Sequence, residues 1–263
     1  MSTRFVTNTV NVSVNNRIAT VEMNRPEALN ALNVEMLKDL SFCLKEISTS
    51  DEIDIVVLTG KGRAFSAGGD IKSMLTMADE TNFYPIMDSI NELVINLYTL
   101  PKLTISAISG AAAGLGLSLA LATDYTLSDQ SAKIAMNFIG IGLIPDGGAH
   151  FFLEKRLGEN RAKQLIWEGK PLSSLEALEI GLVHEVAAEN IQTALEKKVA
   201  NWLKQPIKAM LKTKEIYTQL NRSHLVKVLE LEKQGQYEVR QTKDHAEGIK
   251  AFIEKRQPHF VGK

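Results

Sequence analysis

The stretch from Leu103 to Ala122, LTISAISGAAAGLGLSLALA, decides how this chain folds. Its first part, up to Ile108, is apolar and rich in β-branched residues, which predicts a buried strand. Ser109 and Gly110 predict a turn, and residues 113–122 predict a buried helix. The uncharged length and a GxxxG pair would also fit a membrane span, but the β-type start and the internal turn favour a soluble strand–turn–helix unit.

The same alternation of strand and helix continues on both sides of this stretch. Alternating apolar residues between Val10 and Met23, interrupted by Asn15-Asn16, predict a hairpin. Apolar runs and helical periodicity predict strands at 53–58, 103–108, 125–127 and 133–135, and helices at 33–47, 83–98 and 113–122. Pro85 is expected in the first turn of its helix, where proline is tolerated. This order predicts an α/β fold with right-handed crossovers and a largely parallel sheet.

The part of the chain after Gly147 is dominated by helix signals. Ser173 and Glu176 have the spacing of a capping box, Pro206 separates two helical stretches, and a last helix is expected between Asp244 and Arg256. We therefore predict an α/β core over 1–205. We predict a helical region over 206–263 that packs on the core or on a neighbouring subunit, because so few residues rarely build a second core.

The composition narrows the class of protein. Hydrophobic residues make up 44% of the 263 residues, and 30 basic against 31 acidic side chains give a net charge of −1, so no nucleic-acid partner is expected. One cysteine, Cys43, excludes an internal disulfide framework, and the five scattered histidines lack metal-binding spacing, so no metal is expected. Because the first residues lack the apolar core of a signal peptide, a cytoplasmic location without a membrane partner is expected.

Two glycine-rich turns carry the candidate chemistry, one at Gly62–Lys72 and one at Ser109–Gly116. Each follows a predicted strand and precedes a predicted helix, where backbone N–H groups point outward and carry partial positive charge. If the two turns face each other, they could hold one carbonyl oxygen between two N–H donors. The alternative is that both are tight turns that serve packing only.

Four ordered motifs give the chain a resemblance to the crotonase superfamily, the enoyl-CoA hydratases and isomerases. They are Asn24–Leu32 (NRPEALNAL), Ala64–Lys72 (AFSAGGDIK), Ile108–Asp124, and Gly140–Gly148 (GIGLIPDGG). The resemblance covers nearly the whole chain and implies a crotonase-like spiral of ββα units. It also implies a helical C-terminal trimerisation region that gives a homotrimer or a dimer of trimers. The implied substrate is an acyl-CoA thioester. No cofactor is implied, since coenzyme A is part of the substrate.

The resemblance also assigns residues. The oxyanion donors would be the backbone N–H groups of Gly69 and Leu115, although the second position is usually glycine in hydratases of the family. Removing a proton alpha to the thioester, or adding water to a conjugated double bond, places negative charge on the thioester oxygen, which two fixed donors stabilise. Substrate and CoA would lie against Ala28, Ala67, Gly68, Asp70, Ile71, Gly114, Phe138, Phe252 and Lys255.

The proton carrier distinguishes members of this family. Typical hydratases use two glutamates, and the corresponding positions here hold Ser118 and Phe138, neither of which is acidic. Asp146 lies where some enoyl- and dienoyl-CoA isomerases, and phenylacetate-pathway isomerases, carry their acid/base aspartate. A buried carboxyl in an apolar pocket has a raised pKa that suits proton transfer. The alternative is that Asp146 is the N-cap of the following helix. His150 could share its helix face, but no role is assigned to it.

Three functions follow from these residues. The first is an enoyl-CoA isomerase in which Asp146 moves a proton between two carbons of the acyl chain. The second is an enoyl-CoA hydratase, a lyase that adds water to a 2-enoyl-CoA with another base. The third is a non-catalytic acyl-CoA-binding protein. The length of the acyl chain and the pathway, whether fatty acid metabolism or phenylacetate degradation, stay open.

Overall fold

The computed structural model of the chain describes residues 2–70 and 80–263, with the backbone alone for residues 2–5 and 80. The strands are β1 (Ser2–Val6), β2 (Val10–Asn15), β3 (Ile18–Met23), β4 (Ile55–Gly60), β5 (Ala64–Ser66), β6 (Leu103–Ile108), β7 (Ala111–Ala113), β8 (Tyr125–Ser128), β9 (Lys133–Ala135), β10 (Leu172–Ser173) and β11 (Glu185–Val186). The helices are α1 (Val34–Ser48), α2 (Glu80–Tyr98), α3 (Leu115–Leu121), α4 (Ala149–Leu157), α5 (Glu159–Glu168), α6 (Ser174–Glu179), α7 (Ile191–Leu203), α8 (Ile207–Val239) and α9 (Lys243–Glu254). Short 3-10 helices lie at Pro26–Ala28 and Phe138–Ile141.

Two sheets organise the described residues. The larger has the order β1-β2-β3-β4-β6-β8-β11, and its strands from β3 to β11 run parallel. The smaller has the order β10-β9-β7-β5, in which β5, β7 and β9 run parallel. All six residues of β6 are buried, as expected of a parallel strand covered on both faces. The predicted α/β class with a largely parallel sheet is therefore confirmed.

The predicted hairpin is present. β2 and β3 pair antiparallel from Val10↔Met23 to Asn15↔Ile18, and Asn16 in the connecting turn has a φ of 54°. Alternate residues of β3 are buried, which is the period expected of a strand with one face on the core. Apolar periodicity was thus sufficient to place these two strands.

Two predicted helix boundaries are wrong. The helix expected at 113–122 begins at Leu115, because Ala111–Ala113 form β7 between β5 and β9. The helix expected from Phe83 already runs from Glu80 in the described residues, so Pro85 lies inside α2 and not in its first turn. At β7, pairing with the two flanking strands outweighs the helical preference of alanine.

The long helix α8 joins the C-terminal region to the core of the same chain. Its buried residues Leu225, Leu229, Glu232 and Gln236 recur at helical spacing and face the core. Near its start, the Lys214 ammonium donates to the Asp124 carboxylate and to the Lys102 carbonyl, each at 2.8 Å. The predicted boundary between 205 and 206 stays a prediction, although Pro206 does precede α8.

The uncharged stretch that could have suggested a membrane span forms β6, β7 and α3. Within residues 2–70 and 80–263, no helix combines the length and the apolar character that crossing a membrane requires.

Candidate functional site

The candidate site lies where the parallel strands of the smaller sheet end. β5 pairs with β7 through Ala64↔Ala111 and Ser66↔Ala112, and β7 pairs with β9. Because these strands are parallel, the turns that follow β5 and β7 leave the sheet at the same edge. The topology therefore brings the two glycine-rich turns together, as the sequence predicts.

The two turns approach each other through glycine. Gly68 has a φ of +96°, and a Cβ there would lie 2.8 Å from the carbonyl oxygen of Ala113. Gly114 has a φ of +51°, and a Cβ on it would lie 3.9 Å from the Cα of Gly68. A side chain at Gly68 would both strain the backbone and push the turns apart. Glycine is therefore required here for the close approach as well as for the turn.

Asn30 fixes the first turn from below. Its buried side-chain amide donates to the carbonyls of Lys61 and Ala64, at 3.0 and 2.8 Å. Its own carbonyl accepts a hydrogen bond from the Ser66 hydroxyl at 2.8 Å. This network explains why an asparagine in the NRPEALNAL segment belongs with the AFSAGGDIK segment, which follows more than 30 residues later.

The backbone N–H groups of Gly69 and Leu115 are available for a ligand. Leu115 is the first residue of α3, where an N–H has no partner within the helix. The loop around Gly69 is held on either side, because Leu32 donates to the Gly68 carbonyl and Asp70 donates to the Leu32 carbonyl. In the described part of the chain, neither amide donates a hydrogen bond to another protein group. Two donors are thus free beside the same opening.

These donors face a cavity of about 410 Å³. Most of its wall is apolar and comes from α1, α2 and the segment around Phe138. The lining residues are Leu32, Asn33, Val34, Leu37, Ala67, Gly68, Gly69, Asp70, Ile86, Met87, Ile90, Gly114, Leu115, Asn137, Phe138, Gly140, Ile141, Leu143, Asp146, Gly169 and Phe252. An apolar cleft with a few convergent polar groups is the usual form of a small-molecule site.

Asp146 is the one acidic side chain of this wall besides Asp70, among the residues described. Its Oδ2 accepts a hydrogen bond from the Gln236 amide at 3.3 Å, whereas its buried Oδ1 has no partner. Burial raises the pKa of Asp146 to about 8, the nearby Glu232 charge adds to the rise, and the Gln236 hydrogen bond opposes it. The carboxyl can therefore exchange a proton near neutral pH.

The alternative role of Asp146, as a helix N-cap, is wrong. The N-cap of α4 is Gly148, and no side chain caps that helix. Asp146 contributes only its backbone carbonyl, which accepts from the Ala149 amide at 3.3 Å. The Asp146 carboxyl therefore takes no part in capping the helix, and Asp146 belongs to the cavity wall.

The two positions that hold glutamates in typical hydratases offer no base here. Ser118 is fully buried, and its hydroxyl donates to the backbone carbonyl of Asp146 at 2.8 Å. Phe138 lines the cavity, and a Cβ on Gly114 would lie 3.5 Å from its ring. Ser118 thus supports the Asp146 loop, and Phe138 contributes an apolar surface.

The Leu115 side chain packs against the loop that carries Asp146. A Cβ on Gly147, whose φ is +65°, would lie 2.5 Å from the Leu115 Cδ1. The leucine side chain therefore occupies space that only a glycine in the facing loop leaves free. This contact accommodates the larger residue at the position that is usually glycine in hydratases of the family.

Of the residues near the first glycine turn that are predicted to hold CoA, three line the cavity. Ala67, Gly68 and Asp70 line the cavity, and the Asp70 carboxylate pairs with Arg25 at 3.0 Å. Ala28 does not line it but lies next to that turn, because the adjacent Leu29 carbonyl accepts from the Ala67 amide at 2.9 Å. Ile71 lies outside the described residues.

Of the two C-terminal residues predicted to cover CoA, one lines the cavity and the other does not. Phe252, which is 57% exposed, lies on α9 and reaches the cavity wall. Lys255 is the C-cap of α9 with a φ of 54°, is exposed, and does not line the cavity. Its predicted role in CoA binding stays a prediction.

Sequence reasoning missed two residues of this region, Glu232 and Gln236. Both come from α8, some 90 residues after Asp146, and no motif marks them. The only available signal was their place on the helix face that also carries Leu225 and Leu229, where buried polar residues are rare. His150, to which no role was assigned, contacts Glu232 through its Nδ1 at 2.8 Å.

Comparison with known proteins agrees with this geometry. Residues 13–263 match the enoyl-CoA hydratase/isomerase family. The chain is 47% identical, over 95% of its length and 98% of the relative's, to the Bacillus subtilis (strain 168) protein YhaR, which is named only for the family as an enoyl-CoA hydratase/isomerase. It is 36% identical, over 94% and 95%, to the 1,2-epoxyphenylacetyl-CoA isomerase of Escherichia coli (strain K12).

A solved structure shares the fold. The enoyl-CoA hydratase from Mycobacterium avium subsp. paratuberculosis K-10 superposes with a TM-score of 0.87 at 32% identity, over 96% of this chain and 98% of that one. The similarity extends through the helical C-terminal region.

Proposed function

This chain belongs to the enoyl-CoA hydratase/isomerase family, the crotonase superfamily, and from that premise we propose that it is an isomerase that shifts a double bond in an enoyl-CoA. The observation that carries the proposal is the buried Asp146 carboxyl, which belongs to the cavity wall and whose Oδ1 has no hydrogen-bond partner. Ser118 and Phe138, at the positions that the family resemblance assigns to the hydratase glutamates, offer no second carboxyl.

The proposed reaction begins with the thioester oxygen between the Gly69 and Leu115 amides. Asp146 takes a proton from C2 of a 3-enoyl-CoA, so that a C–H bond breaks and an O–H bond forms on the carboxyl. The electron pair moves onto the thioester oxygen as an enolate, which the two amides stabilise. The same proton is then returned to C4, and the double bond ends between C2 and C3.

The surroundings of Asp146 support a proton that is taken and returned. Its pKa of about 8 lies closer to the pKa of the weakly acidic C2–H group than the pKa of an ordinary aspartate does. A smaller pKa difference makes the proton transfer easier. Burial also keeps bulk water from exchanging with the proton during transfer. We propose that no cofactor takes part, because the chemistry needs only the amides and one carboxyl.

The experiment is an assay with a 3-enoyl-CoA, read by mass and by absorbance of the conjugated product. We expect a product of unchanged mass with new conjugated-enoyl absorbance. The rate of its formation should fall by about 10³-fold or more in Asp146→Asn. Asp146→Asn should still bind the product CoA ester. Glu230→Gln, which neutralises a carboxylate that does not line the cavity, serves as the control. Full activity in Asp146→Asn would contradict the proposal.

A hydratase is the alternative, and the same assay separates it. Its product would be heavier by one water, at rates well above background with a 2-enoyl-CoA. The name of the solved enoyl-CoA hydratase favours it, but the Ser118 and Phe138 positions offer no acid to position that water. Binding of CoA esters without turnover of any enoyl-CoA would instead indicate a binding protein.

We also propose that the chain forms a homotrimer or a dimer of trimers in the cytoplasm. The support is an exposed apolar face on α8, where Ile216, Tyr217 and Leu220 are 58%, 63% and 71% exposed. Exposed apolar side chains that share one face of a helix in this way are typical of a surface that contacts another protein.

A further inference from the structure

Two side chains of α8 contact the loop that carries Asp146 or the residues just after it: Gln236 and Glu232. The Gln236 amide donates to the Asp146 Oδ2 at 3.3 Å and to the Ile144 carbonyl at 2.6 Å. Gln236 thus ties the carboxyl to the backbone of its own loop. Because Oδ2 is held in this way, Oδ1 is the oxygen that stays unpartnered.

Glu232, one turn earlier on α8, is fixed beside the same loop. Its carboxylate accepts from the Gly148 amide at 2.7 Å, from the His150 amide at 3.0 Å, and from the His150 Nδ1 at 2.8 Å. The side chain is only 2% exposed. A buried carboxylate with three donors has little freedom to move, so its charge acts on Asp146 from a fixed place.

We propose that Glu232 and Gln236 are positioning residues that hold the Asp146 carboxyl and govern its ionisation with opposite effects, an inference that rests on the proposed function. The fixed negative charge of Glu232 favours the protonated carboxyl. The Gln236 amide donates to the carboxyl and favours the ionised form. The pair thereby balances the carboxyl between taking and returning a proton.

Among the charged groups around this point, Glu232 is the one whose charge shifts the pKa of Asp146. α3 carries no titratable side chain, and the loop of residues 142–147 carries none besides Asp146. Besides His150 and Glu232, the helices packed here carry further titratable groups: Tyr84, Asp88, Glu92 and Tyr98 of α2, Glu154, Lys155 and Arg156 of α4, and His224, Lys227, Glu230, Lys233, Tyr237 and Glu238 of the C-terminal half of α8. Asp88 and Glu230 pair with Lys233, while Glu154 and His224 lie 3.9 Å apart.

The test is a carbon-13 NMR titration of aspartate-labelled protein, in which Asp146→Asn identifies the Asp146 signal. In the wild type we expect a midpoint at about 8. Glu232→Gln should lower the midpoint by about one pH unit or more, because it removes the fixed charge. Gln236→Met should raise it by about half a unit, because it removes the donor. Glu230→Gln neutralises a charge on the same helix and should leave the midpoint unchanged.

Opposite shifts are a result that mere loss of packing would not produce. The acid limb of kcat/KM for the isomerisation should move in the same two directions. If Glu232→Gln does not fold, Glu232→Asp keeps the charge and should stay near the wild-type midpoint, while Gln236→Met tests the donor independently. Unchanged midpoints in both the Gln236 variant and a folded Glu232→Gln would overturn the inference. Because NMR reads the carboxyl without turnover, an inactive wild type would overturn only the proposed function.

Discussion

The Asp146 carboxyl is buried beside a second buried carboxylate, Glu232, and this arrangement affects folding as well as proton transfer. A carboxyl whose pKa is raised in the folded state binds its proton more tightly there than in the unfolded chain. Its contribution to stability is therefore complete below the unfolded pKa of about 3.9 and is lost as the pH rises towards about 8. Each pKa unit corresponds to about 1.4 kcal/mol.

Asp146→Asn should therefore make the protein more stable at alkaline pH. We expect a higher Tm than wild type at pH 8, and a difference that shrinks or disappears at pH 4, as measured by thermal unfolding across this range. Asp70→Asn is the matched control, since Asp70 pairs with Arg25 and its loss should not raise the Tm. An equal Tm for wild type and Asp146→Asn at pH 8 would contradict the raised pKa.

At the residue scale, the sequence predicted Asp146 but not its partners. Asp146 stands inside a loop motif whose glycines mark it, whereas Glu232 and Gln236 stand in a helix rich in exposed polar residues. A glutamate or glutamine at helical spacing normally belongs to a solvated face. Only the packing of α8 against α4 turns these two inward, and that packing leaves no local pattern.

At the scale of elements, the site depends on how closely the turns after β5 and β7 approach. Gly68 lies between them with a φ of +96°, where an added Cβ would meet the Ala113 carbonyl oxygen at 2.8 Å. Gly181, by contrast, has a φ of +80° with nothing within 4 Å of an added Cβ. Substitutions at Gly68 and Gly181 therefore distinguish the effect of backbone strain from the effect of moving the two turns apart.

Gly68→Ala should lower kcat/KM by about 10²-fold or more, as removal of one oxyanion donor does, because the Gly69 amide would shift. Gly181→Ala should cost about 1 kcal/mol of stability from strain alone, with kcat/KM unchanged. Urea denaturation and steady-state kinetics of both variants provide the measurements. Equal losses of activity in the two variants would show that strain, and not the approach of the turns, is responsible.

The elements differ in how far the sequence could predict them. β4 and β6 are long apolar runs and were predicted within two residues. β7 is three alanines, a composition that favours helix, and it is a strand only because β5 and β9 flank it. The two glycine turns were predicted from residue type, since few other residues adopt their backbone angles.

At the scale of the whole molecule, the fold followed from ordered motifs more than from periodicity. Periodicity gave the α/β class, and the four motifs gave the crotonase fold, which the 0.87 TM-score supports. Neither could predict the length of α8 or which of its faces turns inward, because both depend on contacts between distant parts of the chain.

The exposed face of α8 provides a prediction at this scale. Leu220→Glu places a charge where an apolar side chain is 71% exposed in the single chain. If that face joins subunits, light scattering should give three or six times the chain mass for wild type and a smaller mass for Leu220→Glu, because burying an unpaired charge is costly. A wild-type mass equal to one chain would contradict the proposed trimer.

The position of Gln236 in the chain has a consequence for synthesis. A ribosome completes both glycine turns and Asp146 well before it delivers residues 207–239, so a nascent chain can assemble the oxyanion donors while the carboxyl still lacks its amide partner. The Asp146 carboxyl would then reach its final protonation balance only when α8 docks and brings the Gln236 amide to Oδ2. The cavity wall itself is completed later still, when α9 adds Phe252.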